Sequence, residues 1–538
     1  MAPPVKQPEK LRIGFIHPDL GIGGAERLVV DAAVSLQNLG HEVVMFTSRH
    51  DPKRCFEETR DGTLKVHVLG SSLPRTFTKK YPLTIIFSIL RSLLLSFLLV
   101  MSIMWPEPSS FFNPLAPLKH FDVFIIDQQS ISIPFLKLFT GTRILFYCHF
   151  PDKLLSGGWE LDIDKKSDST DETKQLMQRS TGKSGVSLLK RIYRYPIDKL
   201  EEFTTGQADI VLSNSKFTSR IYARAFPSLA KRPPRVVYPC IDINAYQPPS
   251  ASNQKGKGKA KSDPEIELIS SERPTFISFN RFEAKKNVAL AIKAFAKLRD
   301  DALIPDDEFE NLRMVLGGGY DKDEIDNKET LASLQKLCGE LHLRHHTISS
   351  SSTDRSIEPP LENTQILFIL NFSNNQRTHL LTSENTRGLL YTPSNEHFGI
   401  VPIEAMSCGL PVLAVNSGGP TETIIDFKQS PEVGTGLLVS PNEDEWSKSL
   451  AFLYNLSTDD REQISKSARN RVENQFSLNT LGKELELACR DAYAKGDIHQ
   501  SIGDIFIWVS AALIAVSAVG IAFVVFVIND HEAYTLNI

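Results

Sequence analysis

Two segments of this chain open in the same way, and the pattern leaves few folds available. Arg12 to His17 is a short apolar run that alternates little, as in a parallel strand buried on both faces. It enters a glycine-rich loop, Pro18 to Glu26, after which Leu28, Val29, Ala32, Ala33 and Leu36 recur at helical spacing until Gly40 ends the helix. Glu42 to Thr47 reads as the next strand. Parallel strands joined through a helix close by right-handed crossovers, so this start builds a parallel sheet. The pattern restarts with a strand at Thr275 to Phe279, a loop from Asn280 to Asn287, a helix from Val288 to Leu298 and a strand from Met314 to Gly317. The chain therefore reads as α/β, with two Rossmann-like domains.

Between these starts, strands are predicted at Val66 to Leu69, Val123 to Asp127, Ile144 to Tyr147, Ile210 to Asn214 and Val236 to Tyr238. His149 follows the third of these runs, Ile144 to Tyr147, at a strand's carboxyl end, where open α/β sheets bind ligands. Gly157 to Gly185 and Gln247 to Pro264 are polar stretches that read as a loop and a linker or surface insertion. The expected division is an N-terminal domain over 1–245, a linker over 246–272 and a C-terminal domain over 273–498, closed by helical residues Trp446 to Lys495.

At 538 residues, with 60 basic and 64 acidic side chains, the chain is too long for one core, and its charge balance points away from nucleic acid. Six scattered cysteines without a C-x-x-C pair argue against a disulfide framework or a zinc site and fit a reducing compartment. Met1 to Lys10 is polar, so a cleaved signal peptide is not expected. Ile505 to Ile528 carries no charge and is long enough to span a bilayer, with Lys483, Arg490 and Lys495 before it and no basic residue after it. That asymmetry places the bulk of the protein in the cytosol. Leu83 to Trp105 is also long enough to span but contains Arg91. Because the residues on either side of it are assigned to one sheet, it reads as a membrane-embedded or surface-lying helix, with spanning as the alternative.

The chemistry concentrates in Asn395 to Glu422. Glu396 and Glu404 stand eight residues apart, with Gly399 between them, Pro402 just inside a helix start, and Gly418-Gly419 after the next strand. A helix N-terminus attracts a diphosphate, while the carboxylates suit sugar and ribose hydroxyls. Spacing alone leaves open that Glu404 is a first-turn glutamate and Glu396 a solvated loop residue. Arg281 and Lys286 lie on a loop between strand and helix, where a diphosphate would be clamped. Gly21-x-Gly23 also raises a dinucleotide fold, but Glu26 stands at the third glycine position and no acidic residue closes the second strand.

The Glu396-x7-Glu404 spacing, with Phe398-Gly399 and Gly418-Gly419, resembles the signature of the retaining, nucleotide-sugar-dependent glycosyltransferases of the GT-B fold. With Gly23-Gly24-Ala25-Glu26, Tyr147 to Asp152, Ser213 to Ser215, and Asn280 to Phe282 with Lys286-Asn287, the resemblance covers most of the chain. It narrows to the eukaryotic mannosyltransferases that add the second and third mannoses, α1,3 and α1,6, to dolichol-diphosphate-linked oligosaccharide on the cytosolic face of the endoplasmic reticulum.

That resemblance implies two domains facing a cleft, GDP-mannose as donor and mannosyl-chitobiosyl-diphosphodolichol as acceptor. It puts Arg281 and Lys286 on the donor diphosphate, Glu396 near the transferred sugar and Glu404 on the ribose, with Gly399 and Ile400 at the donor. Gly23 and Gly24 become the loop at the reacting centre, and His149, with Asp19, the acceptor side. Glu396, His149 and Lys286 are the expected catalytic residues. No metal or other cofactor is expected, and other mannosyltransferases of the pathway are expected partners. The alternatives are another GT-B transferase, such as the later cytosolic α1,2-mannosyltransferase, and a membrane-anchored scaffold without activity.

Overall fold

A computed structural model describes residues 8–74, 84–104, 118–155, 188–246, 264–349, 363–496 and 498. The apolar stretch Ile505 to Ile528, the loop Gly157 to Gly185 and nearly all of the stretch Gln247 to Pro264 lie outside the described residues. Contacts divide the chain into two units. One comprises residues up to Cys240 together with those from Leu478 onward, and the other comprises Ile241–Ser477.

The first unit holds strands β1 (Arg12–His17), β2 (Glu42–Thr47), β3 (Lys65–Val68), β4 (Val123–Asp127), β5 (Arg143–Cys148), β6 (Ile210–Ser213) and β7 (Arg235–Val236). All pairs are parallel, in the order β3-β2-β1-β4-β5-β6-β7. The order reverses between β1 and β4, and the carboxyl ends beside that reversal are where such sheets take ligands.

Alternate residues of each strand feed two cores. Ile13, Phe15, Val123 and Ile125 face the helix Gly24–Asn38, whose buried Leu28, Val29, Ala32, Ala33 and Leu36 form its inner stripe. Ile16, Phe124 and Ile126 face Leu95, Leu99, Val100 and Ile103 of the helix Thr84–Met104. That helix is long and apolar enough to cross a membrane by length and composition. One of its faces packs on the sheet, while Leu90, Phe97 and Met104 are exposed.

The second unit repeats the architecture with β8 (Thr275–Phe279), β9 (Arg313–Gly318), β10 (His345–Ser349), β11 (Ile366–Leu370), β12 (Thr386–Tyr391), β13 (Val412–Val415) and β14 (Gly436–Val439). The order is β10-β11-β9-β8-β12-β13-β14, again all parallel, with the reversal between β8 and β12. The helix Ala289–Asp300 buries Leu290, Ile292, Phe295 and Leu298 in the core against the helix Glu443–Tyr454, whose Trp446 is fully buried.

The expected boundaries differ from this division at both ends of the second unit: it begins at Ile241 and takes in the expected linker, and it ends at Ser477. The run from Trp446 to Lys495 is helical apart from short breaks, but its last helix, Leu478–Tyr493, belongs to the first unit. Leu481, Leu485, Ala488, Cys489 and Ala492 complete the core beside the helix Gly24–Asn38. Gly482 lets the two helices close up, since a Cβ there would lie 3.1 Å from that of Ser35. Burying two leucines alone stabilises this docking by about 3–6 kcal/mol. The helix Ile325–Glu340 follows a turn that carries Asp321 and Asp323.

Candidate active site

In the second unit the loops after β8 and β12 meet at the strand-order reversal. After β8 the chain makes a 3-10 turn, Ala284–Lys286, and passes through Asn287 at φ 50°. This turn separates the two lysines. Lys285 reaches out to Glu283 at 2.8 Å, whereas Lys286 turns inward and pairs with Glu396. Arg281 is largely exposed, its side chain 3.6 Å from Glu283.

After β12, Asn395 at φ 55° and Gly399 at φ 86° shape the loop carrying Glu396, and the helix Ile400–Ser407 starts at Ile400 with Gly399 as its N-cap. Tyr391 packs under this turn, 3.3 Å from where a Gly399 Cβ would lie. Burial, together with the charge of Glu396 and a hydrogen bond to it, keeps the Tyr391 phenol protonated well beyond its usual range.

Gly418, at φ 67°, is required here for turning as well as for contact, and Gly419 for contact. A Cβ on Gly418 would lie 2.5 Å from the Glu396 carbonyl oxygen, and one on Gly419 would collide with that of Phe398. The Gly419 N–H donates to the Glu396 carbonyl at 2.8 Å. The glycine pair therefore acts as a backrest for the glutamate loop.

Glu404 lies inside the helix, 6% exposed, and its Oε1 accepts from the Tyr246 hydroxyl at 2.6 Å and from Arg377 Nη1 at 2.9 Å. Arg377 also stacks over the Tyr246 ring, 5.5 Å from its centroid. Burial lifts the Glu404 carboxyl above its ordinary 4.5, although Arg377 and Tyr246 both pull it down.

The first unit brings three side chains together at its own reversal. His17 ends β1, Asp127 ends β4, and His149 follows β5. His17 Nδ1 lies 2.8 Å from Asp127 Oδ1, and His149 Nε2 lies 2.9 Å from Asp127 Oδ2. His17 Nε2 is 3.0 Å from the Asp19 carbonyl oxygen. Both partners of His17 are acceptors, so both ring nitrogens donate and the ring is an imidazolium. Burial opposes that charge, but the charge and hydrogen bond of Asp127 outweigh it and raise the His17 pKa above 6.5. Burial likewise pushes Asp127 up, yet His17 and His149 hold it below 3.8, so it stays ionised. His149 is thereby fixed with its proton on Nε2.

Gly23 is the N-cap of the helix Gly24–Asn38 at φ −168°, a conformation open to any residue, and a Cβ on it would collide with the Glu26 carboxylate. A Cβ on Gly24 would point into open space.

A family model described as "Glycosyltransferase Family 4" matches residues 22–245, and one described as "Glycosyl transferases group 1" matches 259–471. A curated relative from Rhizomucor pusillus, "Alpha-1,3/1,6-mannosyltransferase ALG2", is 41% identical over 480 residues, covering 89% of this chain and 91% of that protein. The protein of the same description from Candida albicans is 39% identical over 89% of this chain and 99% of its own. The chain belongs to the alpha-1,3/1,6-mannosyltransferase ALG2 family.

Solved structures agree on the fold. Sucrose-phosphate synthase from Thermosynechococcus elongatus aligns with a TM-score of 0.58 at 16% identity, covering 90% of this chain and all of that one. A glycosyltransferase from Rickettsia africae aligns at 0.57 and 16%, over 90% and 98% of the two chains. The architecture is GT-B, with two seven-stranded parallel sheets.

Within this member of the ALG2 family, sequence reasoning did not single out His17, Asp127, Tyr246, Arg377 or Tyr391. The signal for two of them was present. His17 and Asp127 are the polar ends of otherwise apolar strands, at the carboxyl side where ligands bind. Arg377 and Tyr246 left no such mark, being 27 and 158 residues from Glu404.

Proposed function

We propose that this chain transfers mannose from GDP-mannose to mannosyl-chitobiosyl-diphosphodolichol, first in α1,3 and then in α1,6 linkage, on the cytosolic face of the endoplasmic reticulum. Family membership supports the reaction class. The observation carrying the chemistry is the Lys286–Glu396 pair at the β8/β12 reversal. A departing nucleoside diphosphate leaves negative charge beside Lys286 and Arg281, and fixed positive charge there lowers the barrier.

In this reading the C1–O bond to GDP breaks first, giving an oxocarbenium-like sugar. The acceptor hydroxyl attacks C1 from the face that GDP leaves, and its proton passes to the departing phosphate oxygen, so configuration is retained. Glu396 holds the transferred sugar, Glu404 the ribose, and Gly399 and Ile400 line the donor. Gly23 and Gly24 belong to the reacting centre, and His149, oriented by Asp127, faces the acceptor. Arg281 and Lys286 neutralise the diphosphate without a metal or other cofactor.

Membrane attachment is supported by the helix Thr84–Met104. β3 precedes it and β4 follows it in one sheet, which supports both flanks lying on one side, and Leu90, Phe97 and Met104 are exposed on its outer face, as suits a helix lying on a lipid surface. Purified protein in detergent, given GDP-mannose and the lipid acceptor, should extend it by two mannoses. Transfer to neither the one-mannose nor the two-mannose acceptor would overturn the reading. Normal cellular glycosylation by a Lys286→Ala chain would point instead to a scaffold without activity.

A further inference from the structure

The first unit contains a cavity of about 840 Å³, and of its lining only Asp19 has been given a role above, on the acceptor side. It opens beside the carboxyl ends of β1, β2 and β4, and the first turns of the helix Thr84–Met104 form one wall through Thr84, Ile85, Ser88 and Arg91. Three arginines line it: Arg49 just after β2, the exposed Arg54, and Arg91. Arg91 carries the single charge in that 21-residue helix, yet it is only 7% exposed and turns toward the cavity, away from the outward-facing Leu90 and Phe97.

The remaining wall suits a neutral glycan. Asp19, Glu26 and Asp51 supply carboxylates, and Gln128 and Gln129 supply amides. Arg49 lies 3.6 Å from Asp19, within reach of a ligand that bridges them. Gln129 is stitched to the apolar helix, accepting from Ser92 Oγ at 2.6 Å and donating to Ser88 Oγ at 2.5 Å. Gln128 is held at φ 60°, a conformation a side chain adopts only under constraint and one that clusters at binding sites.

We infer that this cavity seats the sugar diphosphate of the acceptor, with Arg49, Arg54 and Arg91 on the diphosphate and the carboxylates and amides on the first N-acetylhexosamine. This rests on the acceptor class proposed above. Three arginines matched by three carboxylates fit a ligand that is anionic at one end and hydroxyl-rich at the other. The volume is within the range that holds a ligand of that size, about 300–1,000 Å³. The same helix supplies both the diphosphate contact and the exposed apolar face, so a polyisoprenoid tail leaving the cavity meets lipid at the depth where the helix lies.

The test is calorimetric binding of a short-chain prenyl-diphosphate chitobiose to the full chain and to Arg49→Gln, Arg54→Gln, Arg91→Gln and Arg91→Lys variants. Each Gln substitution should weaken binding by about tenfold, with GDP affinity unchanged and Arg91→Lys retaining most of the affinity. Should Arg91→Gln fail to fold, Arg49→Gln and Arg54→Gln, at more exposed positions, carry the test. Unchanged affinity in those two variants overturns the assignment. So does a loss confined to flotation with phosphatidylserine-containing vesicles, which would make the arginines a phospholipid contact. Wild-type chain that binds this ligand but transfers no mannose to a lipid acceptor would refute the proposed reaction and leave the cavity assignment standing. Transfer with equal acceptor KM in wild type and all variants would do the reverse.

Discussion

Asp127 holds His149 from the neighbouring strand end, with 2.9 Å between Oδ2 and Nε2, while its other oxygen accepts a hydrogen bond from His17 Nδ1. One carboxylate thus orients a ring facing the proposed acceptor site and compensates a buried cation. An asparagine would offer one acceptor oxygen to two ring N–H donors, leaving one of them facing an NH₂ group. Asp127→Asn should therefore reduce the mannosyl-transfer rate by about 10²-fold, near the loss from His149→Ala. KM for GDP-mannose should hardly change. Steady-state rates at saturating donor check this, and a variant within twofold of wild type would remove Asp127 from any orienting role.

The same pair sets a pH window for stability. Asp127 is depressed below 3.8, so its contribution is present above that value and is lost as pH falls through the folded pKa. His17 is raised above 6.5, so its contribution is complete below 6.5 and is lost as pH rises through its folded pKa. The joint stabilisation is greatest between 3.8 and 6.5. Thermal midpoints of wild type and His17→Gln should differ most in that interval and converge as pH rises through the raised His17 pKa. A difference that grows with pH contradicts the charge assignment.

Glu404 supplies the third prediction. Its buried carboxyl depends on Tyr246 and Arg377, and removing either leaves an acceptor in a dry environment. Tyr246→Phe should cost on the order of 1–2 kcal/mol, and Arg377→Leu somewhat more, because a charge is also left uncompensated. Denaturant melts give the stability and GDP calorimetry the nucleotide affinity, which should fall in both variants if Glu404 anchors the ribose. Wild-type GDP binding in a destabilised Arg377→Leu chain would refute the anchor role.

Gly419→Ala tests the backrest separately from backbone strain, since Gly419 has φ −56°, which alanine adopts freely. Only the collision with the Phe398 carbonyl remains, and it displaces the loop carrying Glu396. Transfer should drop by at least about tenfold, for a stability cost of roughly 1–3 kcal/mol. Gly24→Ala, with no atom within 4 Å of the added methyl, is the control in the other unit and should fold with wild-type stability.

The fold was legible where burial writes a one-dimensional signal. β1, β2, β4 and β8 are apolar on both faces and end at glycine, proline or polar residues, and their bounds were read as observed. β10, His345–Ser349, is an edge strand with polar, partly exposed residues and gives no such run. The last helix was legible as a helix but not in its allegiance, because an amphipathic stripe records that a face is buried and not against which core. Site residues follow the same division. Glu396, Glu404 and Gly418-Gly419 are close enough in sequence to form a pattern. The His17–Asp127 contact spans 110 residues, so only the closed sheet brings the two together.

Arg281, Lys285 and Lys286 are three cations on one loop, and composition does not distinguish them. Their geometry does. The side chain of Lys286 is 16% exposed and engages Glu396 across the β8/β12 reversal, whereas that of Lys285 is 66% exposed and engages Glu283 on its own loop. A charge that stabilises a leaving diphosphate has to be fixed before the bond breaks, which the partly buried, paired lysine satisfies and the solvated one does not. Lys286→Ala should lower kcat by about 10²–10³-fold. Lys285→Ala should remain within about threefold of wild type, as a screened surface pair contributes little. Parallel kinetics of the two variants with GDP-mannose decide between them, and equal losses would mean that the loop rearranges when the donor binds.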